Sequence, residues 1–156
     1  GARRIELRQI ASFQVDHTKL PEGMYTSRID GDITTYDIRM VRPNGGVYLE
    51  NGAMHTIEHL FATYARSGPL RDRVIYVGPM GCRTGFYLLV RDMEPKDAIG
   101  LVQGAMAFIA GYEGAIPGAS EAECGNWREH DLPGARRAAA GMAERLRGWT
   151  VEQLAY

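Results

Sequence analysis

The feature that most constrains this sequence is the pentapeptide His55-Thr56-Ile57-Glu58-His59. At about 100° per residue, an α-helix places its two imidazoles and its carboxylate within roughly a quarter of the helix surface. Two neutral imidazoles on successive turns can bind one divalent metal ion, and the carboxylate then faces whatever the ion holds. The H-x-x-E-H spacing is typical of metalloenzymes, although a polar helix face can also meet it by chance. The pentapeptide therefore predicts a helix with a metal site on one face.

The residues around the pentapeptide predict the rest of this helix. Asn51 is a suitable N-terminal cap, and the segment 67–69 predicts the end of the helix, where Gly68 is able to adopt a left-handed cap. The metal site thus lies in the first turns of a regular amphipathic helix, which can hold a pair of ligands rigidly. The buried face is predicted by an apolar stripe at helical spacing, formed by Met54, Ile57, Leu60, Phe61 and Tyr64.

Alternating polar and apolar residues predict a half-buried strand at 34–42. Arg39 lies on its polar side, where it is either a solvated charge or an anchor for an anion or a hydroxyl. Farther upstream, His17 follows an acidic residue and is either a substrate-binding imidazole or a surface histidine. Shorter strands are predicted at 74–77 and 86–90, and further helices at 96–112 and from the segment 130–134 through about 147.

The two cysteines lie in loops. Cys82 is in the segment 78–85, which contains three glycines, and glycine allows a substrate to approach closely. A neighbouring cation would favour a thiolate there, but the loop alone leaves Cys82 as readily structural as reactive. Cys124 follows a capping-box pattern at 120–123 and could be a third metal ligand. Two imidazoles and one thiolate leave a coordination position open, as in catalytic sites, and suit zinc or ferrous iron.

Length, composition and charge predict one globular domain spanning 1–156. An apolar share of 45% is enough for a core, and a net charge of −1 argues against broad contacts with nucleic acid or an acidic membrane. No apolar run is long enough to cross a bilayer, and no charged-then-apolar leader begins the chain. With only two cysteines, we expect a cytoplasmic protein whose thiols are ligands or nucleophiles, or simply two small buried side chains.

Several short motifs occur in a fixed order and cover most of the chain. H-x-x-E-H alone is weakly specific, but its combination with a Pro-Met-Gly-Cys loop and a later Cys-Gly pair is strong. In this combination the sequence resembles the S-ribosylhomocysteine lyase (LuxS) family. The matching segments are Ser12-Phe13 with Asp16-His17, Asp37-Ile38-Arg39, His55 to Leu60, Pro79 to Gly85, and Cys124-Gly125 with His130-Asp131-Leu132.

The resemblance implies an α+β fold, with an antiparallel sheet packed against helices, in a homodimer whose active sites lie near the subunit interface. It implies that Glu58 and Cys82 act as general acid and base groups. The implied cofactor is one divalent metal ion per subunit, Fe²⁺ in the working enzyme and often Zn²⁺ in purified protein. The implied metal ligands are His55, His59 and Cys124. The implied substrate-binding residues are Ser12, His17 and Arg39.

The implied reaction cleaves the thioether of S-ribosylhomocysteine. The sulfur is on C5 of the sugar, beside a C4 proton that becomes acidic only after a carbonyl has migrated from C1 to C3. The metal ion assists as a Lewis acid and protein groups move the protons, until β-elimination releases homocysteine. The other product, 4,5-dihydroxy-2,3-pentanedione, is the precursor of a quorum-sensing autoinducer, and the reaction also serves the methyl cycle. The sequence departs from the family pattern at Tyr76 and Gly78, where Asp and Ser, respectively, are common in the family.

Two other functions are compatible with parts of the pattern. A metallopeptidase also uses H-x-x-E-H, with the glutamate activating water, but it needs no reactive cysteine and its third ligand is usually a carboxylate. A non-catalytic module with a structural metal would normally use four protein ligands, and the sequence identifies only three, which are His55, His59 and Cys124. No partner beyond a small-molecule substrate and a second copy of the chain is predicted.

Overall fold

The fold is an antiparallel sheet packed against helices, in a computed structural model that describes residues 16–156. In this range the sheet has four strands in the spatial order β1-β2-β4-β3. This confirms the predicted α+β class. The strands are β1 Gly23–Asp30, β2 Ile33–Arg39, β3 Val74–Pro79 and β4 Gly85–Arg91, and the helices are α1 Asn51–Ala65, α2 Pro95–Ala110 and α3 Leu132–Arg145, with short 3₁₀ turns at Arg71–Arg73 and Glu152–Leu154.

One hydrophobic core lies between the sheet and the helices. Alternate side chains of β4 point into it, as the two-residue period of a half-buried strand requires. Burying each large apolar side chain contributes about 1.5–3 kcal/mol, so the core fixes how α1 is seated on the sheet. The predicted stripe of α1 is confirmed, with Met54 and Tyr64 at its half-buried edges. Its fully buried members are Ile57, Leu60 and Phe61.

Both ends of α1 differ in detail from the prediction. Glu50, rather than Asn51, is the N-cap residue, with extended backbone and no capping by its side chain. At the other end the C-cap is Arg66, at a φ of −91°. Gly68 does not take up a positive φ. A left-handed glycine is not needed because local bonds already serve the last carbonyls: Arg66 N–H donates to Ala62, and the Ser67 hydroxyl donates to Thr63.

The sheet contains one strand that the sequence did not predict. This strand, β1, has a register shift between Thr26 and Arg28, which breaks the alternation that would have revealed it. It joins β2 through a tight turn in which Gly31 has a φ of 64°. The next strand, β2, ends earlier than expected, because the backbone N–H groups of Met40 and Val41 both donate to the carbonyl of Thr84.

Strand pairing brings the end of β2 next to the loop that carries Cys82. Arg39 is opposite Gly85 in the β2–β4 ladder. A Cβ on Gly85 would collide with the carbonyl of Ile38, so this close approach requires glycine. The loop itself is shorter than predicted and spans 80–84, because β3 extends to Pro79. Within residues 16–156, no helix is long and apolar enough to cross a membrane.

Candidate active site

Two imidazoles of α1 and one sulfur from a distant loop converge. His55 Nε2 is 3.3 Å from Cys124 Sγ, and His59 Nε2 is 3.8 Å from the same sulfur. The ligands of a tetrahedral site with zinc-like bond lengths stand about 3.5 Å apart. The three atoms therefore have the spacing that a single ion would require, and imidazole and thiolate together suit zinc or ferrous iron.

Backbone carbonyls fix which nitrogen of each imidazole is available. His55 Nδ1 is 2.7 Å from the carbonyl of Glu129, and His59 Nδ1 is 2.8 Å from the carbonyl of Pro117. A carbonyl only accepts, so each Nδ1 carries the proton and donates it. Each Nε2 then presents a lone pair toward Cys124, which is the tautomer that a metal ligand needs.

Cys124 is placed by a tight turn rather than by a helix. The backbone N–H groups of Glu123 and Cys124 both donate to the carbonyl of Ser120, and the Ser120 hydroxyl donates to the Glu123 carboxylate. The residues of the predicted capping box thus stabilise one turn and no helix follows. The turn leaves Cys124 half-buried against α1.

A fourth candidate ligand, His130, was not predicted. The ligand atoms of His55, His59, Cys124 and His130 all lie within 4.8 Å of one another. His130 Nδ1 is 2.9 Å from the hydroxyl of Thr56. Burial lowers the pKa of His130, and the nearby imidazoles of His55 and His59 lower it further. A signal was present, because His130 follows Cys124 by six residues in the segment that must fold back onto α1.

Glu58 lies on the same face of α1 and borders two cavities. One, of about 230 Å³, is also lined by His55 and Pro79. The other, of about 470 Å³, is also lined by His59 and Tyr76. The carboxylate is half-buried between them, next to the paired imidazoles. It is therefore placed to exchange protons with a molecule bound beside these imidazoles.

Cys82 lies in a different group of side chains. Its exposed sulfur is 3.0 Å from the Thr84 hydroxyl and 4.0 Å from Arg39 Nη1. Arg39 is 2% exposed and forms an ion pair with Asp37, so it is not the solvated strand charge that the sequence left open. His17 joins Arg39 and Cys82 in lining a cavity of about 340 Å³. Ser12 lies outside the described residues.

The structure thus divides the predicted site residues into two sets. The cavity of Cys82, Arg39 and His17 shares no lining residue with either cavity of Glu58. The boundary runs between Pro79, which lines a cavity of Glu58, and Met80, which lines that of Cys82. His55 and His59 border the cavities of Glu58. As far as residues 16–156 line them, these cavities are separate from the cavity that Cys82 borders.

Comparison with known proteins decides the family. The family model of S-ribosylhomocysteinase (LuxS) matches residues 10–153. The chain belongs to this family. It is 45% identical to the S-ribosylhomocysteine lyase of Phocaeicola vulgatus, over 96% of this chain and 98% of the relative. It is 48% identical to that of Desulfotalea psychrophila, over 85% and 87%, and 43% identical to that of Borreliella burgdorferi, over 96% and 99%.

Tyr76 and Gly78, the positions where the family resemblance implies Asp and Ser, lie close to each other in the structure. A Cβ on Gly78 would overlap the phenol ring of Tyr76. The tyrosine ring therefore occupies the space that a side chain at position 78 would need, and glycine at 78 leaves room for it. Tyr76 is 51% exposed and lines the cavity that Glu58 and His59 also border.

Proposed function

We propose that this protein is a metal-dependent carbon–sulfur lyase that cleaves S-ribosylhomocysteine into homocysteine and 4,5-dihydroxy-2,3-pentanedione. The observation that carries the proposal is the convergence of His55, His59 and Cys124 beside Glu58, in a chain of the LuxS family. The reaction consists of successive carbonyl migrations followed by β-elimination. Its sugar product is the precursor of a quorum-sensing autoinducer, and the released homocysteine returns to the methyl cycle.

The proposed cofactor is one divalent ion per chain, Fe²⁺ in the working enzyme and Zn²⁺ as a substitute. His55 Nε2, His59 Nε2 and Cys124 Sγ would hold it, since their separations and tautomers suit a tetrahedral site. When bound, the ion supplies Lewis acidity that polarises the oxygens of the sugar. The carbonyls of Glu129 and Pro117 keep the two imidazoles oriented for this task.

Glu58 and Cys82 are the proposed proton-transfer groups. Glu58 is one residue before His59, so the helix carries its carboxylate and the ligands as one rigid unit. Cys82 has the Thr84 hydroxyl and the Arg39 guanidinium beside its sulfur. We assign Arg39, His17 and Ser12 to substrate binding. The cavity that Arg39 and His17 share with Cys82 supports the first two assignments.

A homodimer with shared active sites would bring the two sets of residues together. Glu58 and Cys82 must act on the same sugar, yet the cavities that they border share no lining residue among residues 16–156. Cys82 is exposed, so a second copy of the chain can reach it. We propose that the thiol-side cavity of one protomer faces the metal side of its partner. Mixed dimers of Cys82→Ala and Glu58→Gln chains should then regain activity that neither variant has alone.

The cytoplasm is the proposed location. Cys82 and Cys124 are both free thiols, and the function requires both to remain reduced. A reducing compartment maintains that state, whereas an oxidising one would inactivate the thiolate ligand and the proton-transfer group.

The experiment that tests the function is incubation of the metal-loaded protein with S-ribosylhomocysteine, followed by detection of free homocysteine thiol. The proposal predicts thiol release that depends on time and on enzyme concentration. A module with a structural metal is the second candidate, and His130 favours it by offering a fourth protein nitrogen. Such a module would release no homocysteine, and a peptidase would cleave peptides instead.

A further inference from the structure

We infer that His130 is not a fourth metal ligand but a hydrogen-bond donor, whose Nε2–H points toward the group that completes the coordination of the ion. The observation is that this nitrogen is buried within the cluster and has no hydrogen-bond partner among the described residues. A buried polar atom without a partner costs about 1–3 kcal/mol, so it calls for an explanation. The role in turnover rests on the proposed function, whereas the protonation pattern of the ring does not.

The stacking of two rings excludes joint ligation by His55 and His130. Their planes are 18° apart and their centroids are 4.0 Å apart, so the rings are nearly parallel, one above the other. The lone pair of an imidazole nitrogen lies in the ring plane, and a bound ion lies about 2.0–2.1 Å along it. An ion in the plane of His55 is therefore well outside the plane of His130. By contrast, His55 and His59 are inclined at 85°, and their planes can intersect at one ion.

The hydroxyl of Thr56 selects the tautomer of His130. Thr56 is fully buried, and its oxygen accepts a hydrogen bond from the backbone N–H of Asp131 at 3.0 Å. Its own proton needs an acceptor, and the remaining partner within residues 16–156 is His130 Nδ1, at 2.9 Å. Thr56 therefore donates to Nδ1, and the ring proton of a neutral His130 is on Nε2. This is the opposite tautomer from His55 and His59, which face carbonyls.

An N–H group in this place suits an oxygen atom of the substrate. Cys124 Sγ has His55 and His59 as its hydrogen-bonding neighbours among the described residues, and His130 is not one of them. The acceptor for His130 is then the oxygen, from water or from the sugar, that occupies the open coordination position. A hydrogen bond there would stabilise negative charge as it develops on that oxygen. His130 would thus leave one coordination position free for an oxygen atom and would donate a hydrogen bond to that oxygen.

The tautomer can be read directly by two-bond ¹H–¹⁵N correlation spectra of zinc-loaded protein with ¹⁵N-labelled histidine. We expect zinc-bound Nε2 and protonated Nδ1 for His55 and His59, and protonated Nε2 for His130. A His130 ring with protonated Nδ1 and zinc-bound Nε2 would overturn the inference. Thr56→Val should remove the preference for the Nε2–H form, and Thr56→Ser, which retains a hydroxyl, should preserve it. Equal spectra for these two variants would contradict the role of Thr56.

Metal content and turnover of His130→Gln provide an independent test. The variant should still bind one zinc per chain with unchanged stoichiometry, because His130 is not a ligand. Its turnover should fall on the order of 10- to 100-fold, the effect of losing one hydrogen bond to a charged group. Loss of zinc in His130→Gln would show that the ring is a ligand. If the unaltered protein released no homocysteine, the proposed function would fail, and the spectra would still decide the inference.

Discussion

Asp37 and Arg39 form a buried ion pair at the end of β2. The distance from Arg39 Nη2 to Asp37 Oδ2 is 2.6 Å, and the two side chains are 3% and 2% exposed. The same carboxylate oxygen accepts a hydrogen bond from the Tyr156 hydroxyl at 2.7 Å. Arg39 also donates to Thr84 Oγ1 at 2.7 Å. The pair therefore connects the end of the chain to the loop of Cys82 and holds the guanidinium beside the thiol.

Removing Asp37 should be strongly destabilising. Asp37→Ala leaves the Arg39 charge buried without its partner, which costs about 3–5 kcal/mol of unfolding free energy. The matched control is Asp30→Ala, which breaks the exposed ion pair with Arg28, whose side chain is 63% exposed. That change should cost at most about 1 kcal/mol. Urea unfolding measures the loss of unfolding free energy in each variant. Equal losses in Asp37→Ala and Asp30→Ala would show that the buried Asp37–Arg39 pair matters no more than the exposed one.

Stability above pH 10 should depend on Tyr156. Burial raises the pKa of this phenol above its ordinary value, and the charge of Asp37 raises it further; the ring is 49% exposed, but its hydroxyl faces inward. Since the pKa of Tyr156 is raised in the folded state, its contribution to the free energy of unfolding is complete below the unfolded-state pKa of about 10. The contribution is lost as pH rises from there toward the folded-state pKa. The unfolding free energy should therefore decrease less between pH 8 and pH 11 in Tyr156→Phe than in the unaltered protein. An identical slope in both proteins would contradict this account.

Cys82→Ala should separate chemistry from metal binding. The sulfur contacts Thr84 and Arg39 and lies outside the metal cluster, so metal content should not change. Release of homocysteine should fall by about 10²–10⁴-fold, the usual contribution of a general acid or base. Homocysteine release and metal content are measured on the same sample of Cys82→Ala and compared with those of the unaltered protein. Turnover close to that of the unaltered protein would remove Cys82 from the mechanism.

The fit between Tyr76 and Gly78 predicts coupled mutational effects. Gly78→Ser should destabilise the protein by at most about 1 kcal/mol, because the new Cβ overlaps the tip of the exposed Tyr76 ring, which must move aside. Adding Tyr76→Asp removes the ring and should recover most of this loss, with a coupling energy of about 0.5 kcal/mol or more. Gly81→Ser is the matched control, since a Cβ there meets nothing within 4 Å. Additive effects of the two changes would show that the residues are independent.

The sequence predicted what depends on local periodicity. The helix of His55 and its buried stripe follow from the spacing of residues within one element, and the structure confirms both. The residue types offered Cys124 only as a possible third ligand, because it is distant in sequence from His55 and His59, and the family resemblance then implied the grouping. Strand β1 was missed because its irregular register hides the two-residue period.

Other features depend on contacts between distant segments, which no local pattern contains. Arg39 is buried because the end of the chain covers that face of the sheet, where Tyr156 stacks on Tyr25 and Trp149 donates to the carbonyl of Met24. His130 lies beside His55 and His59 where the backbone N–H of Asp131 donates to the Gly52 carbonyl and the Thr56 hydroxyl of α1. These are effects of tertiary packing, and composition and spacing do not indicate them.

The central claim is that the ion held by His55, His59 and Cys124 makes this protein a lyase. It is tested most directly by removing the metal, adding Fe²⁺ stepwise without oxygen, and measuring homocysteine release and bound iron together. We predict that release rises in proportion to bound iron, saturates near one ion per chain, and is absent from Cys124→Ala, which should bind little metal. Undiminished release from the metal-free protein, or normal metal content in Cys124→Ala, would contradict the account.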